Sequence, residues 1–157
     1  MDHTTAAIAN SLICSLRDGA GRLRELSEKL SDEQFWIKPY PYGNSFGHLT
    51  LHLIGNLNYY VGTQIAGTGY EREREREFNE SSPPAKEEAL RRLDDAIELV
   101  AMAIEAQTAE SWLESYEAVG KAEFIKDRFG IVLRCVTHLH HHVGQMIYLE
   151  KEFARQR

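Results

Sequence analysis

Residues 137–146 read Thr-His-Leu-His-His-His-Val-Gly-Gln-Met, which places four histidines within five positions of one another. Apolar residues recur around them every three or four positions, at Val132, Cys135, Val136, Leu139, Val143, Met146 and Ile147. This spacing is typical of a helix with one buried face. We therefore predict a long helix over residues 127–153. Its inner face carries imidazoles, which are the commonest side-chain metal ligands near neutral pH.

The four histidines fall at different angles around this helix, because each residue advances by about 100°. Relative to Cys135, His142 lies at about 340°, within the apolar stripe, and His138 lies at about 300°, on its edge. His140 and His141 fall away from the stripe and are predicted to be surface residues. The pair that can share one metal ion is His138 and His142, one helical turn apart.

A second histidine pair, His48 and His52, is spaced i, i+4 in an apolar stretch that predicts a helix over residues 45–65. His52 lies at the edge of the apolar stripe and His48 lies further out, so His52 is the better third ligand. Asn56, one turn after His52, also points inward and is a candidate to orient a ligand or a bound water. Three histidines leave coordination positions open, as a catalytic metal requires.

Two further helices complete the predicted fold. The first covers residues 4–30, and the other follows Ser82-Pro83-Pro84, with Ser82 as its N-cap, and runs to residue 106. Asn44 is the predicted N-cap of the helix over residues 45–65. Long helices with short links indicate an all-α, antiparallel four-helix bundle formed by one domain, residues 1–157. Residues 112–126 are read either as a turn at residues 119–122 between two short extended pieces or as a loop.

Residues 71–77 read Glu-Arg-Glu-Arg-Glu-Arg-Glu, with alternating charge and no apolar face. The pattern predicts a solvated connector, and a docking role is disfavoured because the signs cancel. No glutamate is tied to the histidines by its spacing. Gln145 lies on the same side of its helix as His138, and either a contact with a ligand histidine or helix packing would explain it. The aromatic residues near the prolines and in the second helix either line a pocket or cap an end of the bundle; they are Trp36, Tyr40, Tyr42, Tyr59 and Tyr60.

Composition narrows the class of protein. The chain has 157 residues and a formal net charge of −6, with no basic face of the kind that binds nucleic acid. It contains no apolar run long enough to span a membrane and no signal peptide at its start, so we expect a cytoplasmic protein. Cys14 and Cys135 lie in apolar helical stretches, and we expect them to be isolated core thiols in a reducing compartment.

Two stretches carry a resemblance to a known family. Leu51-His52-Leu53-Ile54-Gly55-Asn56 and the motif His138-x-x-x-His142-Val143-Gly144-Gln145 resemble the histidine motifs of the DinB-like superfamily of metal-dependent four-helix bundles. The resemblance covers nearly the whole chain. It implies that His52, His138 and His142 hold a divalent metal, zinc or nickel above all, and that the protein is a homodimer.

The same resemblance frames two hypotheses for function. The first is a divalent-metal-dependent hydrolase or thiol (S-)transferase, because some superfamily members transfer a low-molecular-weight thiol or use one as a cofactor. A small-molecule thiol and an electrophile would then be its partners. The alternative is a non-catalytic, metal-binding, dimeric stress or interaction protein, for which the long apolar stripe of the first helix would be the dimer surface.

Overall fold

A computed structural model of the chain describes residues 2–80, 82–117 and 124–156. Within these ranges the fold is all-α, as predicted. The helices are α1 His3–Glu28, α2 Asp32–Trp36, α3 Phe46–Leu57, α4 Arg76–Asn79, α5 Lys86–Glu105, α6 Ala109–Trp112 and α7 Arg128–Arg155. A π-helical segment, Asn58–Thr63, continues α3 without a break.

The four long helices pack around one apolar core. Helix α1 lies against α5 and α7, and α3 also lies against α5 and α7, so each long helix has two long neighbours. The largest side chains that this packing fully buries are Phe35, Phe46, Leu16, Leu23, Leu53, Leu57, Leu90, Leu93, Ile104, Ile131, Leu139 and Met146. The helical bundle is therefore confirmed, and the antiparallel direction of neighbouring helices stays a prediction.

Side-chain caps fix where most of the helices begin. Asp2 accepts from the backbone N–H groups of Thr4 and Thr5 at the start of α1, and Asp127 accepts from that of Gly130 at the start of α7. Such caps satisfy N–H groups that have no partner inside the helix. Helix α3 is capped by Ser45, which bonds the backbone N–H of His48, so the prediction of Asn44 was wrong by one residue.

Helix α5 begins later than predicted and without a side-chain cap. Its N-cap position is Ala85, whose extended backbone precedes Lys86. The helix does not begin directly after Ser82, because Pro83 precedes a second proline and a residue before a proline is disfavoured in the helical conformation. Glu87 and Glu88 in the first turn interact favourably with the positive end of the helix dipole.

The segment between α6 and α7 contains one isolated antiparallel bridge, between Ser115 and Asp127. This bridge places Asp127 where it caps α7. The turn predicted at residues 119–122 lies outside the described residues.

Two expectations about burial need correction. Cys135 is buried as predicted, but Cys14 is exposed on α1. The apolar stripe of α1 is used inside the bundle, where Leu16 and Leu23 are fully buried, so a homodimer would need another surface. No helix among the described residues combines the length and the apolar character needed to cross a membrane.

Candidate metal centre

Three histidines from two helices converge on one point. His52 comes from α3, and His138 and His142 lie one turn apart on α7. The Nε2 atom of His138 lies 3.0 Å from that of His52 and 3.2 Å from that of His142. Two nitrogens bound to one tetrahedral zinc ion at about 2.0–2.1 Å lie roughly 3.3 Å apart. Two of the three nitrogen pairs thus already have the spacing expected of ligands to a single first-row metal ion.

The other ring nitrogens of two of these histidines are held by oxygen acceptors. His52 Nδ1 lies 2.7 Å from Glu77 Oε2, and His142 Nδ1 lies 2.7 Å from Gln145 Oε1. A carboxylate can only accept, so His52 Nδ1 carries a proton, and in the neutral ring its Nε2 presents a lone pair. Oxygen partners of this kind fix the tautomer and the ring orientation of metal-binding histidines.

Glu77 is itself fixed by Arg72. Arg72 Nε donates to Glu77 Oε1 at 2.6 Å and Nη2 donates to Glu77 Oε2 at 2.8 Å, a bidentate pair. The side chains of Arg72 and Glu77 are only 10% and 7% exposed. Burial by itself would raise the pKa of Glu77, but the hydrogen bonds from His52 and Arg72 outweigh it and hold that pKa below its ordinary value. Glu77 is therefore an anion, and it holds the His52 ring through Nδ1, the nitrogen that does not face the other histidines.

The imidazoles of His138 and His142 are neutral at physiological pH. Burial, followed by the charges of neighbouring His142 and Arg134, lowers the pKa of His138 to about 2. Burial also lowers the pKa of His142 to about 4, against the opposing effect of its bond to Gln145. Neutral imidazole is the form that binds metal.

The donor set fits a cation. With Nδ1 of His52 protonated, its Nε2 lone pair points at the Nε2 of His138, which in turn faces the Nε2 of His142. A proton on His138 Nε2 could serve only one of these two neighbours, so at least one close nitrogen–nitrogen approach has no hydrogen between its lone pairs. A metal ion would satisfy all three lone pairs at once. Among the described residues, these histidines are the group whose ligand atoms could hold an ion, and the three atoms all lie within 4.8 Å of one another.

The three histidines line a cavity of about 750 Å³, called here the histidine cavity. It lies between α3, α7 and the segment that precedes α4. Its walls are formed by Asn44, Leu49, His52, Asn56, Tyr59, Tyr60, Arg72, Arg74, Phe78, Ile131, Arg134, Cys135, His138, His142 and Gln145. A cavity of this size holds a small organic molecule beside the metal position.

The structure brings most of the other predicted site residues to this cavity. Asn56 is 6% exposed, and its Oδ1 has no hydrogen-bond partner. Tyr60 lines the wall from the π-helical segment, and Gln145 bonds His142 directly. Trp36 is not among the residues that line this cavity; its ring packs edge-on against His48 and fills the space beside Gly47.

Two predictions about polar segments were wrong in part. His140 is not a surface residue, because its Nε2 lies 2.9 Å from the backbone oxygen of Ser15 and joins α7 to α1. The run of residues 71–77 is not uniformly solvated, since Arg72 and Glu77 turn inward while the five residues between and before them are exposed. The charges of this run nearly cancel in sum, but its inward-facing and exposed side chains lie in different environments.

Sequence reasoning missed Glu77 and Arg72 as partners of His52. Twenty-five positions separate Glu77 from His52, and nothing in that spacing predicts the contact. One signal was available at Gly55, three residues after His52 on the same face of α3. A Cβ atom at Gly55 would collide with Glu77 Oε1, so the glycine marks the place where another chain segment approaches the helix closely.

The family comparison agrees with this geometry. The family model of the DinB superfamily, a metal-associated superfamily, matches residues 15–146, which include all three histidines and their supporting residues. No curated protein matches the chain. The match spans most of the chain, and the chain belongs to the DinB superfamily.

Proposed function

We propose that this chain is a metal-dependent enzyme that binds a divalent ion, zinc or nickel, through His52, His138 and His142 and promotes transfer of a small thiol to an electrophile. The observation that carries the proposal is the convergence of three imidazoles on the wall of a cavity. Structural zinc sites use four protein ligands and are closed, whereas three ligands beside a cavity are the pattern of a catalytic site.

The lining of the cavity favours thiol transfer over hydrolysis. No carboxylate side chain is among the residues described as lining it, and the carboxylate of Glu77 is occupied by His52 and Arg72. A general base for activating water is therefore lacking in the described wall. Hydrolysis remains the second candidate because a metal can lower the pKa of water without such a base.

The attacking sulfur would come from a second molecule. Burial raises the pKa of Cys135 to about 12, so this thiol stays protonated and unreactive although it lies in the cavity wall. A bound divalent ion would supply Lewis acidity that favours the thiolate form of an incoming thiol. In the proposed reaction, the S–H bond and the bond between carbon and the leaving group would break, and the sulfur would bond to that carbon. The leaving group would depart with the electron pair of its broken bond and take up the proton released by the thiol.

The protein's own residues would position the reactants. Glu77 and Gln145 hold the rings of His52 and His142, so these side chains need no reorganisation when a ligand arrives. Asn56 offers a buried acceptor to the cavity. The aromatic rings of Tyr59 and Tyr60 in its wall would pack against the apolar part of a substrate and exclude water from it.

The test uses protein loaded with cobalt(II) as a spectroscopic substitute. Cysteine, 2-mercaptoethanol and glutathione are titrated separately, with serine as an oxygen control, and the visible bands and the near-ultraviolet sulfur-to-cobalt charge-transfer region are recorded. We expect at least one thiol to produce a saturable charge-transfer band, serine to produce none, and the His52→Ala variant to show no such band. Stoichiometric cobalt binding with no response to any thiol would contradict thiol transfer and favour hydrolysis or a non-catalytic ion.

A further inference from the structure

The alternating charges of residues 71–77 are divided between two cavities. Arg72 and Arg74 line the histidine cavity, whereas Glu71 and Glu73 line a second cavity on the other side of α3. Residues 71–73 are not helical, and successive side chains of an extended chain point to opposite sides. The acidic cavity, as we call the second one, has a volume of about 560 Å³ and charged walls formed by Glu71, Glu73, Arg76, Glu77, Glu80, Arg92 and Asp95.

Two arginines in the histidine cavity lack a carboxylate partner. Arg74 packs its guanidinium over the ring of Phe78, 5.5 Å from the ring centroid, and the Phe78 ring lies 4.9 Å from that of His52. Arg134 lies one turn before His138 on α7. In the described parts of the chain, neither guanidinium forms an ion pair, although nearly every other arginine in the bundle does so.

The charge of the histidine cavity is opposite to that of the whole protein. The chain carries a formal net charge of −6, yet the described wall of this cavity holds three arginines and no acidic side chain. Glu77 neutralises Arg72 from behind, which leaves Arg74 and Arg134 as uncompensated positive charges. Imidazole ligands carry no charge of their own, so they would not offset the positive charge of a bound divalent ion. A concave site with positive charge attracts ligands with negative charge.

We infer that the histidine cavity selects a small molecule that carries a carboxylate, with Arg74 and Arg134 as the residues that recognise this group beside the metal position. The inference rests on the proposed function, since it assigns a substrate class to the same site. A planar guanidinium matches the two oxygens of a carboxylate. The unpartnered Oδ1 of Asn56 adds one acceptor, so a ligand that also bears an N–H or O–H group would fill the site more completely.

The experiment compares charged and neutral ligands of the same shape. Zinc-loaded protein is titrated calorimetrically with malonate, succinate and glutarate and with the three corresponding diamides, at constant ionic strength. Elemental analysis of the same samples after dialysis gives the metal content. We expect at least one dicarboxylate to bind about tenfold or more tightly than its diamide, as expected for a charge-assisted contact.

Variants assign this preference to the two arginines. Arg74→Gln and Arg134→Gln should each weaken binding of the preferred dicarboxylate about tenfold while the zinc content stays at the wild-type level. Arg76→Gln is the matched control, because Arg76 lies two residues from Arg74 but lines the acidic cavity. It should leave the affinity within about twofold, since its ion pair with Glu73 is exposed.

The outcomes separate the inference from the proposed function. One zinc per chain without preference for the dicarboxylates, or a preference that both arginine variants retain, overturns this inference and leaves the metal site standing. Loss of affinity in Arg76→Gln equal to that in Arg74→Gln also overturns it, because a general charge effect would then suffice. Wild-type protein that holds no zinc overturns the proposed function and this inference together.

Discussion

The histidine cavity and the acidic cavity lie on opposite sides of α3 and differ far more in chemistry than in size, at about 750 and 560 Å³. In the acidic cavity, charged side chains such as Glu73 and Arg76 are 65% and 70% exposed and pair with each other through solvent-accessible contacts. In the histidine cavity, the polar groups around His52 are buried and held by specific partners. His52 is 6% exposed, and its support, Glu77, is fixed by a bidentate arginine.

The two cavities differ in how firmly their polar groups are held, and this difference, rather than volume or charge density, distinguishes the side of the bundle to which we assign the metal site. Exposed ion pairs contribute little to stability, about 0–1 kcal/mol each, and their geometry is easily lost. Buried polar groups are kept only where their partners are satisfied, or where a ligand completes them. Glu77 connects the two sides, because it borders the acidic cavity while its carboxylate bonds His52.

The largest loss of stability is expected from substitution of Glu77, which connects the two cavities. Glu77→Ala leaves the guanidinium of Arg72 buried without its partner, and we expect a loss of about 3–5 kcal/mol in the free energy of unfolding. Glu77→Gln should be milder in stability but should weaken metal binding about 10–100-fold, because the anionic support of His52 is lost. Urea denaturation and competition with a chromogenic chelator measure the two quantities.

The control for these variants lies in the same segment. Glu73→Gln alters an exposed carboxylate of the acidic cavity, and it should change the stability by no more than about 0.5 kcal/mol and leave the metal affinity unchanged. Equal effects of the Glu73 and Glu77 substitutions would remove the distinction drawn between the two cavities.

A smaller effect is expected from filling the space at Gly55. The added Cβ in Gly55→Ala would displace Glu77 Oε1 and press on Arg72, whose Nε lies 3.3 Å from the same position. We expect about 1–3 kcal/mol of destabilisation from overpacking, together with weaker metal binding as Glu77 moves away from His52. Differential scanning calorimetry and the chelator competition assay detect the two effects.

Gly21→Ala serves as the comparison for Gly55→Ala, since a Cβ at Gly21 meets no atom within 4 Å. The same replacement in the exposed part of α1 should stabilise the protein by about 0.5–1 kcal/mol through helix propensity. Stabilisation of a similar size in Gly55→Ala, with unchanged metal affinity, would show that Glu77 does not depend on this space.

The smallest effect concerns the thiols. Burial raises the pKa of Cys135 to about 12, whereas Cys14 is exposed. Native protein treated with iodoacetamide at neutral pH should gain one adduct, at Cys14, and a second only after denaturation. Peptide mass spectrometry locates the adducts. Rapid labelling of Cys135 in the native protein would mean that the wall of the histidine cavity is wetter than its packing indicates.

Helix periodicity was sufficient to predict the bundle and to choose among the histidines. The angular positions of His138 and His142 on an apolar stripe, and of His52 on another, predicted which three imidazoles meet. This worked because ligands one turn apart on a helix are neighbours by local geometry. The placement of His140 failed because its partner, Ser15, lies on a different helix.

The residues that hold the ligand histidine His52 could not be predicted from local sequence patterns. Arg72 lies in an irregular segment and Glu77 in the short helix α4 that follows it, and the inner side of both is defined only by the helices against which they pack. Their charges alternate with period 2. This pattern shows which side chains point to the same side of the chain, but it does not show which side is buried until the neighbouring helices are known. Cys14 was misjudged for a related reason, because an apolar neighbourhood in sequence does not fix the side of a helix that the core covers.

The most direct test of the central claim is the metal content of tag-free protein, measured by elemental mass spectrometry for the wild type beside His142→Ala. Glu73→Ala serves as a control that carries its change in the acidic cavity. The account predicts close to one zinc or nickel ion per chain in the wild type and in Glu73→Ala, and near-complete loss in a His142→Ala protein that is still folded by circular dichroism. Wild-type protein without metal after reconstitution, or a His142→Ala variant that keeps its ion, would contradict the assignment of this centre.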